Sequence, residues 1–235
     1  MNQGVKVKGE GDADSGDQPR SASDRVAAAI VKEIRMGRLV PGQHLLEPEL
    51  TSRLGISRGS LREALKHLAA DGIVTLSRFR GAYISALDRK AVYDLLDTLE
   101  PLARLAARRA AEMNTSKQKA KELQASALRL EELQGSGKRG DYLTERRYFY
   151  DLLIEMGGNG ELARVIPLSR ADLFRAQVET RQSEAQRRRH AHGYRLIAAA
   201  VMDGDAKKAD QLMGEHFAGT RETMDQLADE VFPAA

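Results

Sequence analysis

Residues 55–64 read Gly-Ile-Ser-Arg-Gly-Ser-Leu-Arg-Glu-Ala, and this stretch decides the fold. Before it, residues 47–54 (Glu-Pro-Glu-Leu-Thr-Ser-Arg-Leu) form a helix-like run. After it, Leu61, Ala64, Leu65 and Leu68 recur at helical spacing. Between the two lies a turn at Gly55, followed by Ser57, a residue type that caps a new helix. Two amphipathic helices across a short glycine-containing turn predict a helix-turn-helix. The second helix opens with Arg58 and Arg62, four residues apart and so on one face. That is the end at which a recognition helix meets base edges in the major groove.

Outward from this stretch the pattern continues on both sides. Residues 1–22 carry Gly, Asp, Ser and Lys without periodicity and predict a disordered tail. A helix is expected from a cap at Ser23 or Asp24, with Val26, Ala29, Ile30 and Ile34 on one face and Gly37 at its end. Leu39-Val-Pro-Gly42 is a connector, and Leu45 and Leu46 lead into a helix at 48–54 with Pro48 in its first turn. The recognition helix should run from 58 to 71. Residues 73–77 and 82–85 are β-prone and flank Arg78-Phe79-Arg80-Gly81, so a hairpin is expected there. Behind a helix-turn-helix it forms a wing, whose Arg78 or Arg80 can reach the phosphate backbone or a narrow minor groove.

From Asp88 onward the reading is all-helical. Helices are expected at 88–113, 115–134 (Thr115-Ser-Lys-Gln118 as capping box), 141–156 (Asp141 as cap), 161–181, 184–202 and 206–229. The predicted architecture is mostly α. A winged helix-turn-helix of three helices and a short β-hairpin at 23–87 precedes an all-α bundle of about six helices at 88–232, with a hinge near 85–90.

Charge is unevenly spread. Residues 1–22 hold three Lys/Arg and four Asp/Glu, residues 23–87 hold ten and six, and residues 88–235 hold twenty-four of each. The positive excess thus falls in the winged segment, as a phosphate-binding surface requires. The chain lacks cysteine, which excludes disulfides and thiolate metal sites. No apolar run is long enough to span a bilayer and no secretory signal is visible, so a cytoplasmic location without membrane association is expected. No nucleophile elbow, His-Glu-x-x-His or phosphate loop appears; Gly157-Gly-Asn-Gly160 lacks the strand before it and the Lys-Ser/Thr after it. An enzyme is not expected.

The chain resembles the GntR family of bacterial transcription regulators through Leu39-Val-Pro-Gly-Gln-His-Leu45, Leu54-Gly-Ile-Ser-Arg58, Leu61-Arg-Glu-Ala-Leu65, Asp71-Gly-Ile-Val74 and Arg80-Gly81. Its second half looks like the FCD ligand-sensing domain of the FadR-type subfamily, through Leu99-Glu-Pro-Leu-Ala103, Gly158-Asn159, Gly204-Asp205 and His216. The resemblance implies a homodimer on a palindromic double-stranded DNA operator, acting as a repressor. Carried onto this chain, the DNA contacts would be Ser57, Arg58, Ser60 and Arg62, with Arg78, Arg80 and Gly81 at the wing. Where the family often has Pro-Val after the Ser-Arg, this chain has Gly59-Ser60, a departure that bears on operator preference.

Many FCD domains hold a metal through one Asp and three His. At the matching positions this chain has Arg146, Tyr150, Tyr194 and His216, so one ligand of four is kept. A guanidinium has no lone pair to give, and neither a metal nor another cofactor is expected. His190, one turn from Tyr194, and His192, on a different face, are not expected to stand in. Arg146, Tyr150, Tyr194 and His216 are instead expected to line a pocket for a small organic acid, gripped by the arginine. Three alternatives stand beside this: Arg146 pairs with an internal acid such as Glu100, the bundle serves dimerisation alone, or the domain is a metal-dependent sensor with unusual ligands. Arg147, Tyr148 and Arg187-Arg188-Arg189 are read as surface.

Overall fold

The computed structural model describes residues 21–113 and 116–233. Residues 1–20 of the tail expected over 1–22, and the Thr115 of the capping box, lie outside the described residues; Ser21 and Ala22 belong instead to the start of the first helix.

Helix α1 (Ala22–Arg35) starts earlier than the sequence suggests. Ser21 is the cap: its hydroxyl accepts from the Asp24 amide and its amide donates to the Asp24 carboxylate, both at 3.1 Å. Two orphan donors are thereby satisfied reciprocally. Strand β1 (His44–Leu45) is absent from the sequence-based expectation; two residues give no periodicity to detect. Helix α2 (Glu47–Leu54) ends at Gly55, and α3 (Arg58–Ala70) starts behind Ser57, whose hydroxyl accepts from the Ser60 amide at 3.0 Å. Strands β2 (Val74–Ser77) and β3 (Gly81–Ile84) pair antiparallel in the register Val74 to Ile84 and Ser77 to Gly81. The sheet order is β1-β3-β2. Ile30 and Ile34 of α1, Leu61 and Leu65 of α3, and Ile73 and Ile84 at the sheet are buried together as the core of this domain.

The helical domain comprises α4 (Arg89–Glu112), α5 (Lys117–Leu133), α6 (Arg139–Gly157), α7 (Gly160–Val165), α8 (Leu168–Val178), α9 (Glu184–Met202) and α10 (Ala206–Asp225). Asp88 caps α4 as expected, and Ser116 caps α5. Helix α6 begins two residues before the expected Asp141 cap, which lies in its first turn, where a carboxylate suits the helix dipole. The single helix expected over 161–181 is divided in two. Pro167 cannot donate an amide and forces Ile166 into extended backbone (ψ 121°), so α7 stops and α8 starts anew. The described residues therefore give seven helices here. Helix α10 ends at Asp225, earlier than expected, and a 3-10 turn follows at Asp229–Val231. Ala103, Ala106, Ala107 and Ala110 give α4 a small-residue face that is fully buried in the bundle.

The segment expected to act as a hinge is fastened. Leu87 is buried, and Gln177 of α8 exchanges two hydrogen bonds with its backbone at 2.8 and 2.9 Å. Arg89 donates to the carbonyls of Met224 and Leu227 and to Asp229.

Candidate DNA interface and effector cavity

On α3, Arg58 and Arg62 are both exposed. Arg58 has no ion pair among the described residues, whereas the Arg62 Nε donates to Glu47 at 3.2 Å. That pair is half-exposed, and a surface pair of this kind is worth at most about 1 kcal/mol, so the guanidinium can leave it for a base or phosphate. The hydroxyls of Ser57 and Ser60 lie 2.9 Å apart at the helix start. Here the cap and the free amides of the first turn present donors suited to a phosphate oxygen.

At the wing, Arg78 and Arg80 are exposed in the turn between β2 and β3. Between them Phe79 is 92% exposed, with the Arg78 guanidinium 5.9 Å from its ring centroid. Sequence reasoning passed over Phe79; a lone aromatic between two arginines in a turn was the available signal. Gly81 is exposed at φ +82°, and a Cβ there would come within 2.9 Å of His44 Nε2. This position is thus kept free of a side chain by the fold itself.

In the helical domain Arg146, Tyr150, Tyr194 and His216 converge. The Arg146 Nε donates to the Tyr194 hydroxyl at 3.1 Å, and its guanidinium carbon lies 4.9 Å from the centre of the Tyr150 ring. The rings of Tyr194 and His216 are 4.5 Å apart. Arg146, Tyr150 and Tyr194 are almost wholly buried. Burial pushes the Tyr150 phenol well above its ordinary value, so it remains neutral. The internal acid facing Arg146 is Asp172, at 3.4 Å, and not Glu100, which pairs with Arg221 and Arg104. Arg147 is also drawn inward, 2.8 Å from Asp172, contrary to the surface placement read from the sequence.

Beside this cluster lies a cavity of about 250 Å³ between α8, α9 and α10. Of the four positions, His216 lines it; Arg146, Tyr150 and Tyr194 stand behind that wall. The cavity is otherwise lined by Arg175, His190, Gln182, Thr220, Leu212 and others. His190 therefore does reach the site: its ring stacks on His216 at 3.9 Å, and its Nε2 is 3.2 Å from the Tyr194 hydroxyl. Helices α9 and α10 come this close because residue 193 is glycine; a Cβ there would lie 2.5 Å from His216 Nδ1. Arg189, from the run read as surface, sits at the mouth and pairs with Glu222 at 2.8 Å.

Sequence reasoning missed Arg175. It is 1% exposed, and neither terminal nitrogen of its guanidinium has a hydrogen-bond partner among the described residues. The Nε2 of His216 also lacks one. Burial, and then the Arg175 charge, hold His216 and His190 well below the ordinary histidine value, so both rings are neutral near pH 7. The arrangement is a buried cation with unused donors next to two neutral imidazoles, which is chemistry for gripping an anion. It does not suit a divalent metal. Arg146, a permanent cation without a lone pair, cannot serve as one of its ligands.

Comparison with known proteins agrees with this architecture. The family described as "Bacterial regulatory proteins, gntR family" matches residues 22–84, and the FCD domain matches residues 91–219. The chain is 25% identical over 193 residues to the "Nta operon transcriptional regulator" of Aminobacter aminovorans, covering 82% of this chain and 91% of that protein. It is 32% identical over 77 residues to the "Galactonate operon transcriptional repressor" of Escherichia coli K12, covering 32% of each. Among solved structures, E. coli McbR/YncC shares the fold with a TM-score of 0.78 at 20% identity, over 88% of this chain and 99% of that one. No helix among the described residues is long and apolar enough to cross a membrane. The protein belongs to the GntR family of bacterial regulatory proteins and, with its helix-turn-helix joined to an FCD domain, is a DNA-binding transcriptional regulator.

Proposed function

We propose that this regulator is a homodimeric repressor, released from a palindromic operator by a small carboxylate-bearing metabolite bound without a metal. The observation that carries the effector class is Arg175, which lines the cavity with its charge buried and its two terminal nitrogens unpaired among the described residues. Burying a cation without a partner costs several kcal/mol in general, and a carboxylate closing on the fork removes that penalty. Polar residues beside it (Gln182, Thr220) suit hydroxyl groups of the ligand, and Leu212 supplies an apolar wall. A relative named for repression of the galactonate operon supports the repressor sense. In a two-fold dimer each recognition helix reads one half-site.

A thermal-shift screen of small mono- and dicarboxylic acids, run with and without EDTA, tests the reading. An acid at a hundredfold its Kd should stabilise the protein by about 2.7 kcal/mol, and equally in chelator. Stabilisation that appears only with an added divalent ion, or a Tm that falls in EDTA alone, would sink the metal-free mechanism.

A further inference from the structure

Helix α8 touches both halves of the molecule. Arg175 on it faces the cavity. One turn earlier Asp172, 1% exposed, meets three arginines: Arg147 at 2.8 Å, Arg146 at 3.4 Å and Arg35 at 3.7 Å. Arg35 belongs to α1, in the DNA-binding domain. Two residues beyond Arg175, Gln177 clamps the backbone of Leu87 in the connection between the domains. One helix of 11 residues thus carries the cavity arginine, the carboxylate beneath α1 and the clamp on the linker.

The Asp172 carboxylate is divided between the two sites. Arg146, one of its partners, is tied through Tyr194 and His190 to the cavity wall at His216. Arg35, the longest of its three contacts and 18% exposed, holds the winged domain. A buried carboxylate cannot be left uncompensated, so a change in one contact must be taken up by the others. Burial already pushes the Asp172 carboxyl up, against the pull of Arg147, Arg146 and Arg35.

We propose that Asp172 couples the Arg175 cavity to the DNA-binding domain: an anion gripped by Arg175 draws α8 toward α9 and α10 and loosens the Asp172–Arg35 pair that docks α1. This rests on reading the cavity as the effector site. Helix α8 serves both surfaces, so the ligand's differential affinity for two placements of α8 becomes a bias on two placements of the winged domain.

The test is a mutant cycle on the full chain, with a DNA duplex selected from a random library by the unsubstituted protein. Arg175→Gln, Arg35→Gln and the double variant are titrated for operator Kd, with and without Asp172→Asn. Sites that do not share partners give additive effects. The expected result is a double variant whose Kd departs from the product of the single fold-changes by about fivefold or more, a departure that vanishes with Asp172→Asn. Additive effects with Asp172 in place, or a departure that survives Asp172→Asn, would overturn the proposal. If circular dichroism finds Asp172→Asn unfolded, Arg35→Lys replaces it. Arg175→Gln should then change Kd by the same factor in the Arg35→Lys background as in the unsubstituted one, and by a different factor in the Arg35→Gln background. An equal factor in all three backgrounds refutes the coupling. The cycle needs no effector, because Arg175→Gln removes the same uncompensated buried charge that a gripped anion would neutralise. A non-additive cycle in a protein that binds no carboxylate rejects the effector reading alone, and an additive cycle with carboxylate binding intact rejects the coupling alone.

Discussion

Replacing Arg175 by Met should make the ligand-free protein more stable and unable to respond to its effector. The side chain is 1% exposed and its two terminal nitrogens lack acceptors among the described residues. Each buried donor left unsatisfied costs about 1–3 kcal/mol, and exchanging buried charge for apolar volume elsewhere stabilises proteins by about 1–4 kcal/mol. Met keeps most of the aliphatic stem. The space left by the guanidinium joins an existing cavity, so no new void forms and the loss of packing is small. A net gain of about 1–3 kcal/mol, at roughly 2–4 °C per kcal/mol for a chain of this size, predicts a Tm raised by about 2–12 °C by calorimetry without ligand. The same change removes one partner of a buried charge-assisted pair in the complex, which costs about 2–4 kcal/mol or roughly 30- to 1000-fold in Kd. Gain of stability with loss of function is the signature of a group kept for binding. If the Tm of Arg175→Met falls by several degrees, the guanidinium is a structural element, and the cavity loses the observation that makes it an anion site.

Further outcomes follow from the DNA interface and the histidine pair. Arg58→Ala or Arg62→Ala should abolish sequence-selective retention of a selected duplex, each losing about 1–3 kcal/mol of base discrimination, measured as the ratio of specific to random-DNA Kd. Arg78→Ala should instead weaken binding to all sequences and lower the slope of log K against log salt by about one, as loss of one phosphate contact requires. Unchanged selectivity in both recognition-helix variants would remove α3 from the groove. The histidine prediction concerns pH. The folded-state values of His190 and His216 are depressed by burial and by Arg175, so their neutral forms contribute stability above the unfolded value near 6.5. That contribution is lost as pH falls from there toward the folded value, because the unfolded chain binds the proton first. The Tm of the native protein should therefore drop more steeply between pH 7 and 5.5 than that of His216→Gln; parallel slopes would show that the ring is already solvated.

How far the sequence could be read depended on whether the signal was local. The recognition helix was legible because Ser57, Arg58 and the Leu61–Leu68 stripe carry cap, charge and periodicity within a dozen residues, and the winged hairpin because Arg78–Gly81 separates two β-prone runs. Strand β1 was not, because His44 and Leu45 become a strand only by pairing with Tyr83 and Ala82, some forty residues away. The division of 161–181 at Pro167 was a local signal available and passed over. The same contrast explains the cavity. Arg146, Tyr150, Tyr194 and His216 were found by their places in a family pattern, and they do meet in space. Arg175 looks in the sequence like any other arginine on a helix. What sets it apart is the lack of an acceptor around a buried guanidinium, a property of the packed bundle that no window of residues can contain. Asp172 is a stronger case still: Arg35, Arg146 and Arg147 reach it from two domains, so it joins the two functions only once both are folded against α8. The position proposed to bind and the position proposed to transmit are therefore separable in this protein, and variants of Arg175 and Asp172 should fail differently: the first by losing the ligand, the second by losing the Asp172–Arg35 pair, so that DNA affinity falls whether or not the ligand is bound.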